Sequence, residues 1–359
     1  MLVLRRQRRA LAVVARRLEL PLLFCTELVP LLRFRNAAWT GYNPDPFTLL
    51  YDSSRILRGQ VPYRDFFQYA GPGAVWLQAA WMAMFGVDAA GPQVLLVLVL
   101  AVLGVGLYVL ATHATGRRPL ALFAPAFVLL TLPAHFPWPY HHWYGVTAMV
   151  AALLAVSAWL RGGRAGWLVV AGAACGATGL FVQTYGAAIV LGLTAFLVVQ
   201  AGSWRAVARS GAWFAAGLCL ALAPVLAYFE AEGGLGRLVY DTLLWPPSHY
   251  LPINQYPFAG NVVDWVRWGI APATPGPGHG IAGPHALRLA ARLYTGLSGG
   301  AAFLLPMVGA GLGALVVLRS VGLRLLGRRR RRARRRAFSP PAPWSPSRPW
   351  RWRSVCGPT

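Results

Sequence analysis

Residues 59 to 73 read GQVPYRDFFQYAGPG, a polar packet closed by Gly-Pro-Gly in a chain otherwise rich in Ala, Leu and Val. Asp45, Arg55, Arg58, Arg64 and Asp65 stand in or just ahead of it. A carboxylate there can take a proton from a reacting hydroxyl, and guanidinium groups can hold an anion. Further donors recur along the chain: His141 and His142 in HFPWPYHHW, Gln183 and Tyr185 in FVQTYG, and His249, Tyr250, Asn254 and Tyr256 in WPPSHYLPINQYPF. Each has a plainer role as well. Asp45 can cap a helix, Asp65 can pair with Arg64, and arginines on an interfacial helix can snorkel to water. Tyr63 suits packing, and Gln183 or Tyr185 can join two helices by a hydrogen bond. The histidines and the later loop residues can simply meet solvent.

The packet needs elements to hold it. Asp45-Pro46 predicts a helix start, because Asp caps free amides and Pro suits the first helical position. The run PFTLLYDSSRILR then stops at Gly59. Phe47, Leu50, Tyr51 and Leu57 fall on one face, with Thr48, Asp52 and Arg55 toward the other, which predicts a short amphipathic helix along a membrane interface. After Gly-Pro-Gly, AVWLQAAWMAMF predicts a second short helix ending at Gly86, with Trp76 and Trp81 at headgroup level.

Around these lies a membrane-type composition, 57% hydrophobic and 12% charged with a positive mean hydropathy, where a soluble domain would carry about a quarter charged residues. Apolar runs at 92–112, 144–160, 166–182, 187–201, 212–229 and 297–318 approach the roughly 20 residues that cross a bilayer. Weaker runs at 119–134 and about 10–34 bring the expected total to about eight. The fold class predicted is therefore an all-α integral membrane bundle with a first outer loop at 36–91 and a second at 230–296. Gly and Ala recur through 171–192 as close helix contacts require. Residues 319–359, basic and rich in Pro, Ser and Trp, read as a disordered cytoplasmic tail. This tail also resembles out-of-frame material standing where further spans would be.

The formal charge of +24 comes entirely from arginine among the basic residues, since the chain has no Lys. The arginines gather at the N-terminus, at 117–118, 161–164 and 205–209, and at 328–336, in alternate loops that share one side if eight helices cross in sequence. Eight of the ten acidic residues fall in the two other loops. By the positive-inside rule the N-terminus and arginine loops are expected in the cytoplasm and the two acidic loops outside. The charge thus reads as topology and membrane-lipid contact, and nucleic-acid binding is not expected. Cys25, Cys175, Cys219 and Cys356 form no close pair, so neither a disulfide framework nor a zinc site is indicated. No cleavable signal peptide is expected at the N-terminus.

The segment DPFTLLYDSSRILRGQVPYRDFFQYAGPGAVWLQAAWMAMFG, residues 45 to 86, resembles the first periplasmic loop of bacterial GT-C membrane glycosyltransferases. That superfamily includes the dolichyl-phosphate-mannose protein mannosyltransferases and the aminoarabinose transferases. The resemblance rests on an acidic residue after the first span, a helix, Gly-x-x-Pro-Tyr-x-Asp, a Pro-Gly turn, and an aromatic-rich helix ending in Phe-Gly. It continues more weakly in YHHW, FVQTYG and YDTLLWPPSHYLPINQYPF and covers about residues 1 to 318; family members usually carry more spans.

The resemblance implies an inverting hexosyl- or pentosyltransferase in a bacterial plasma membrane. It would move a sugar from a polyprenyl-phosphate donor to a glycan, lipid or protein acceptor at the outer face. Asp45 would be the base. Asp65, Arg55, Arg58, Arg64, His142, Gln183, Tyr185, His249 and Tyr250 would bind substrate, the arginines and His142 toward the phosphate. Pro46 stands where many relatives have a second acidic residue. No cofactor is required on this reading and a divalent metal is not supported. The alternatives are a polysaccharide or lipid transporter and a catalytically inactive membrane scaffold.

Overall fold

The computed structural model describes residues 18–32, 45–88, 90–126, 129 and 139–252, with the side chains of Asp45 and Pro46 outside the description. All of these residues belong to the first of two compact units, Met1–Phe303; the second, Leu304–Thr359, lies outside the described residues. So do the expected span at 297–318, the tail, and Asn254 and Tyr256.

The described chain is helical. In order come α1 (18–31), α2 (Asp45–Leu57), α3 (Gly73–Phe85), α4 (Gly91–Thr115), the short α5 (Arg118–Ala121) and α6 (123–126), α7 (His141–Gly162), α8 (Gly166–Phe181), α9 (Gln183–Gln200), α10 (Trp204–Ala231) and α11 (Leu235–Val239). Two π-helical stretches, Tyr240–Leu244 and Pro246–Tyr250, follow. Among the described residues four helices, α4, α7, α9 and α10, are long and apolar enough to cross a membrane. Their surfaces agree with that: Leu191, Leu220 and Val102 stand largely exposed on them, as side chains facing lipid would. At 16 residues α8 is about 24 Å long.

The ends of these helices follow from local chemistry. Pro92 sits in the first turn of α4, where its missing N–H costs nothing. Both α4 and α7 close on a left-handed glycine, Gly116 and Gly163, that frees the chain to turn. Ser203 caps α10 by accepting from the Ala206 amide. Between α8 and α9 a single extended residue, Val182, reverses the chain.

Several of the small residues at 171–192, Gly172, Gly176, Gly179 and Gly186, lie where helices touch. On α8, Gly172 approaches α10 so closely that a Cβ would fall 1.9 Å from the Phe214 carbonyl, and a Cβ on Gly217 would fall 1.9 Å from the Val169 carbonyl. Around this crossing Ala152, Ala155, Leu168, Ala171, Cys175, Leu193 and Phe214 form the main core. A second core joins Leu31 of α1 to Leu96, Leu100 and Leu103 of α4 and Val150 of α7. At its far end Glu19 pairs with Arg118 at 2.5 Å and accepts from the Tyr108 hydroxyl.

The first outer segment departs from expectation in two respects. Its helices α2 and α3 begin and end where predicted, with Gly59 and Gly86 in positive-φ conformations. Part of the polar face of α2, however, does not meet water, although Thr48 is exposed. Asp52 and Ser53 are buried, and the Ser53 hydroxyl bridges Leu49 O at 2.7 Å and Val75 O of α3 at 3.1 Å. Phe47, Tyr51 and Leu57 point outward instead, a side suited to the membrane interface. Trp76 is likewise taken up by protein, stacked on Phe229 of α10 with ring centres 5.4 Å apart and planes at 7°. The second outer segment, expected as a loop, continues as α11 and the π-helical stretches as far as Tyr250. Pro246 and Pro247 lack amide donors, and the wider turn spans the gap: the Leu251 amide reaches the Pro246 carbonyl.

Candidate functional site

Gly-Pro-Gly seats the polar packet on the helix bundle. A Cβ on Gly71 would lie 2.1 Å from the Leu180 carbonyl, so only glycine lets the backbone lie against the end of α8. Upstream the strand-like turn closes through Tyr63 N to Phe66 O and Asp65 N to Val61 O, both 2.9 Å. Tyr63 holds a left-handed backbone with φ of 65°, is fully enclosed, and donates its hydroxyl to Ala70 O at 2.7 Å. Burial drives its phenol pKa upward. Such strain in a non-glycine residue persists only where surrounding contacts fix it, here an edge contact with Phe229 at 5.1 Å.

The charged residues of the packet are mostly engaged with one another. Arg64 pairs with Asp65 at 3.0 Å and with Glu232 beyond α10 at 2.6 Å, tying the loop to the next segment. Asp65 also accepts from the Val61 amide at 2.7 Å, and these donors hold its pKa down to about 2. Arg55 donates to Gln60 at 2.6 Å and to the Asp65 carbonyl at 3.1 Å, its guanidinium lying 4.3 Å over the Phe66 ring. Arg58 is exposed, with a 3.4 Å contact to Ser54. None of the three arginines lines the adjoining cavity.

That cavity, about 200 Å³ and open on one side, lies between α2, the packet and the start of α7. Thr48, Leu49, Gln68, Tyr69, Tyr140 and His141 are among its walls. Asp45 opens α2 one turn ahead of Thr48 and Leu49, so the register places position 45 at the cavity end of the helix. One turn beyond them is Asp52, unforeseen in the sequence reading, which accepts from the Gln68 amide at 3.4 Å. Its carboxyl is pushed up to about 6 by burial, the Arg55 charge opposing. A second unforeseen carboxylate, Asp241, is fully buried beneath the packet with Arg237 at 4.0 Å. Neither of its oxygens meets a partner at hydrogen-bonding geometry, and burial raises its pKa against the pull of Arg237 and the Gln68 amide.

Of the remaining sequence candidates among the described residues, His141 lines this cavity, while His142, Gln183, Tyr185, His249 and Tyr250 are not among its walls and connect to it through neighbours. His141 and His142 open α7 and pack face to face with Tyr140, and His142 reaches Tyr185 of α9 at 5.4 Å. Gln183, the first residue of α9, donates to Tyr69 O at 2.9 Å and to Thr242 O at 3.0 Å. One carboxamide thus joins the first outer segment to the second. Beyond it Tyr69 stacks on Tyr250 at 5.2 Å, and Trp245 stacks on His249 at 5.3 Å. Among the described residues no group of three His, Cys, Asp or Glu side chains is placed to hold a metal ion.

The raised pKa of Asp52 has a stability consequence with a definite sign. Its folded value of about 6 exceeds its ordinary 3.8, so the fold binds the proton more tightly than the unfolded chain does. The ionised group therefore costs stability, increasingly as pH rises from 3.8 and fully above about 6. Asp52→Asn, which keeps an acceptor for Gln68, is expected to raise the thermal midpoint of the detergent-solubilised protein near neutrality. Below pH 3.8 the two proteins should melt together.

No protein-family model matches the chain, and neither a curated protein nor a solved structure matches it.

Proposed function

We propose that the chain is a multi-pass membrane glycosyltransferase of GT-C type. It moves a hexosyl or pentosyl unit from a polyprenyl-phosphate donor, with inversion, to a cell-envelope acceptor at the outer face of a bacterial plasma membrane. On this reading about eight spans cross the bilayer, the N-terminus is cytoplasmic, and α2 and α3 lie along the outer interface.

The observation that carries the proposal is the partly open cavity. It is bounded by Thr48, Gln68, Tyr69, Tyr140 and His141, lies beside the buried carboxylate Asp52, and sits at the start of the bilayer-length helix α7. Sugar transfer from a lipid phosphate needs a base near the acceptor hydroxyl, donors for the leaving phosphate, and access for the lipid at the interface. Asp45 is the base. His141 and Tyr140, at the amide end of α7, are the phosphate-side donors, a role the engaged Arg55 and Arg64 fill less well. The test is transfer of radiolabelled sugar from polyprenyl-phosphate donors by the purified protein in lipid nanodiscs. Turnover supports the reading; no transfer from any donor leaves the inactive scaffold in its place.

One observation favours the transporter reading. Glu27 on α1 is buried against Gly104 of α4, and its Oε2 has no hydrogen-bond partner, as transport sites within spans often require. Glu27→Gln is expected to leave sugar transfer unchanged.

A further inference from the structure

The segment from Asp241 to Leu251 has two unlike faces. Leu243, Leu244 and Leu251 are about half exposed on one side, an aliphatic surface suited to lipid chains. Asp241, Trp245 and His249 recur every fourth residue on another side, which meets the first outer segment. There Phe67 sets its ring against Trp245 at 4.7 Å, Tyr69 lies 6.1 Å from Trp245, and Tyr69 stacks on Tyr250. The rings form one wall, because Tyr69 belongs both to it and to the cavity. The wall carries polar atoms along its margin, with the Ser248 hydroxyl 2.8 Å from the His249 ring nitrogen.

The geometry points to a saccharide-binding surface: the wall of Tyr69, Trp245, Tyr250 and His249, pinned by Gln183, takes a sugar ring of the acceptor. This rests on the reading of the cavity as a transfer site and narrows its acceptor to a glycan. Flat rings with polar edges match a pyranose or furanose, whose C–H face is apolar and whose rim is hydroxylated. The adjacent leucines offer lipid a separate surface. Continuity with the cavity leads a chain bound on the wall toward Asp45. Gln183 is a positioning residue here. Its two amide hydrogens are both spent on carbonyls of the two segments, so the spacing of Tyr69 and Tyr250 depends on it.

The test uses the full-length protein in nanodiscs with short glucose, mannose and arabinose oligosaccharides as probes, read by saturation-transfer NMR and equilibrium dialysis. Wild-type protein is expected to bind at least one of them saturably, with the sugar C–H protons receiving saturation from aromatic protons. Tyr250→Ala should weaken that binding about tenfold, while Tyr250→Phe should retain it. Gln183→Glu, which places a carboxylate against two carbonyls, should weaken oligosaccharide binding and raise the acceptor KM while the donor KM stays at the wild-type value. Binding of none of the oligosaccharides would overturn the inference. Equal affinity in Tyr250→Ala would do the same, as would wall variants that alter only polyprenyl-phosphate binding. Oligosaccharide binding without sugar transfer would leave this surface standing and remove the transferase reading instead.

Discussion

Asp45→Asn is expected to lower the rate of sugar transfer by about 10²- to 10⁴-fold, the usual contribution of a positioned general base. The substitution is informative because Asn caps a helix about as well as Asp does. Helix α2 should therefore keep its start, the detergent-solubilised variant should melt with the wild type, and only proton acceptance is lost. The donor KM should stay near its wild-type value, since the carboxylate meets the acceptor hydroxyl. Asp52→Asn is the matched comparison. Its carboxylate is not among the cavity walls and bonds to Gln68, which is, so a smaller rate loss is expected. Wild-type activity in Asp45→Asn would reduce Asp45 to a cap and remove the base from the proposed mechanism.

The second large effect concerns the scaffold. Gly172→Val is expected to destabilise the protein by about 3 kcal/mol, the upper end of what forced overpacking costs. The new Cβ would stand 1.9 Å from Phe214 O and 2.8 Å from Leu218 N, both backbone atoms that cannot rotate aside. Helices α8 and α10 must part, and the core around Cys175, Ala171 and Phe214 opens with them. The effect reaches the site, because α10 supplies Phe229, on which Trp76 and Tyr63 rest. Gly192→Val on α9 is the control, with no heavy atom within 4 Å of its Cβ. Thermal unfolding in detergent, followed by size-exclusion recovery, should show a large loss for the first and little change for the second.

Much of the fold was legible because its signals are local. Asp45-Pro46 and Gly59 bracket α2, Gly-Pro-Gly and Gly86 bracket α3, and the apolar runs became α4 and α7 to α9 within a few residues, while α10 starts eight residues before its expected run, at Trp204. What escaped depends on partners distant in the chain. Asp52 reads as a solvent-facing residue of an amphipathic helix until α3 and Gln68 cover it. Asp241 reads as part of a proline-rich loop until π-helical turns carry it under the packet. Asp65 and Arg64 are adjacent, so their pairing could be anticipated. The further bond to Glu232, 168 residues away, could not. Gln183 stood out as a polar residue between two apolar helices, but only the fold reveals which two carbonyls it joins.

The account turns on which side of the membrane the cavity opens. After replacement of Cys25, Cys175, Cys219 and Cys356 by Ala, single cysteines at Arg58, Ser248 and Arg164, all exposed positions, can be probed in intact cells with a membrane-impermeant maleimide. Positions 58 and 248 are expected to label from outside, and position 164 only after permeabilisation. Labelling of position 164 from outside, with 58 and 248 protected, would place the cavity on the cytoplasmic side and the 161–164 arginine loop outside, and would contradict the account.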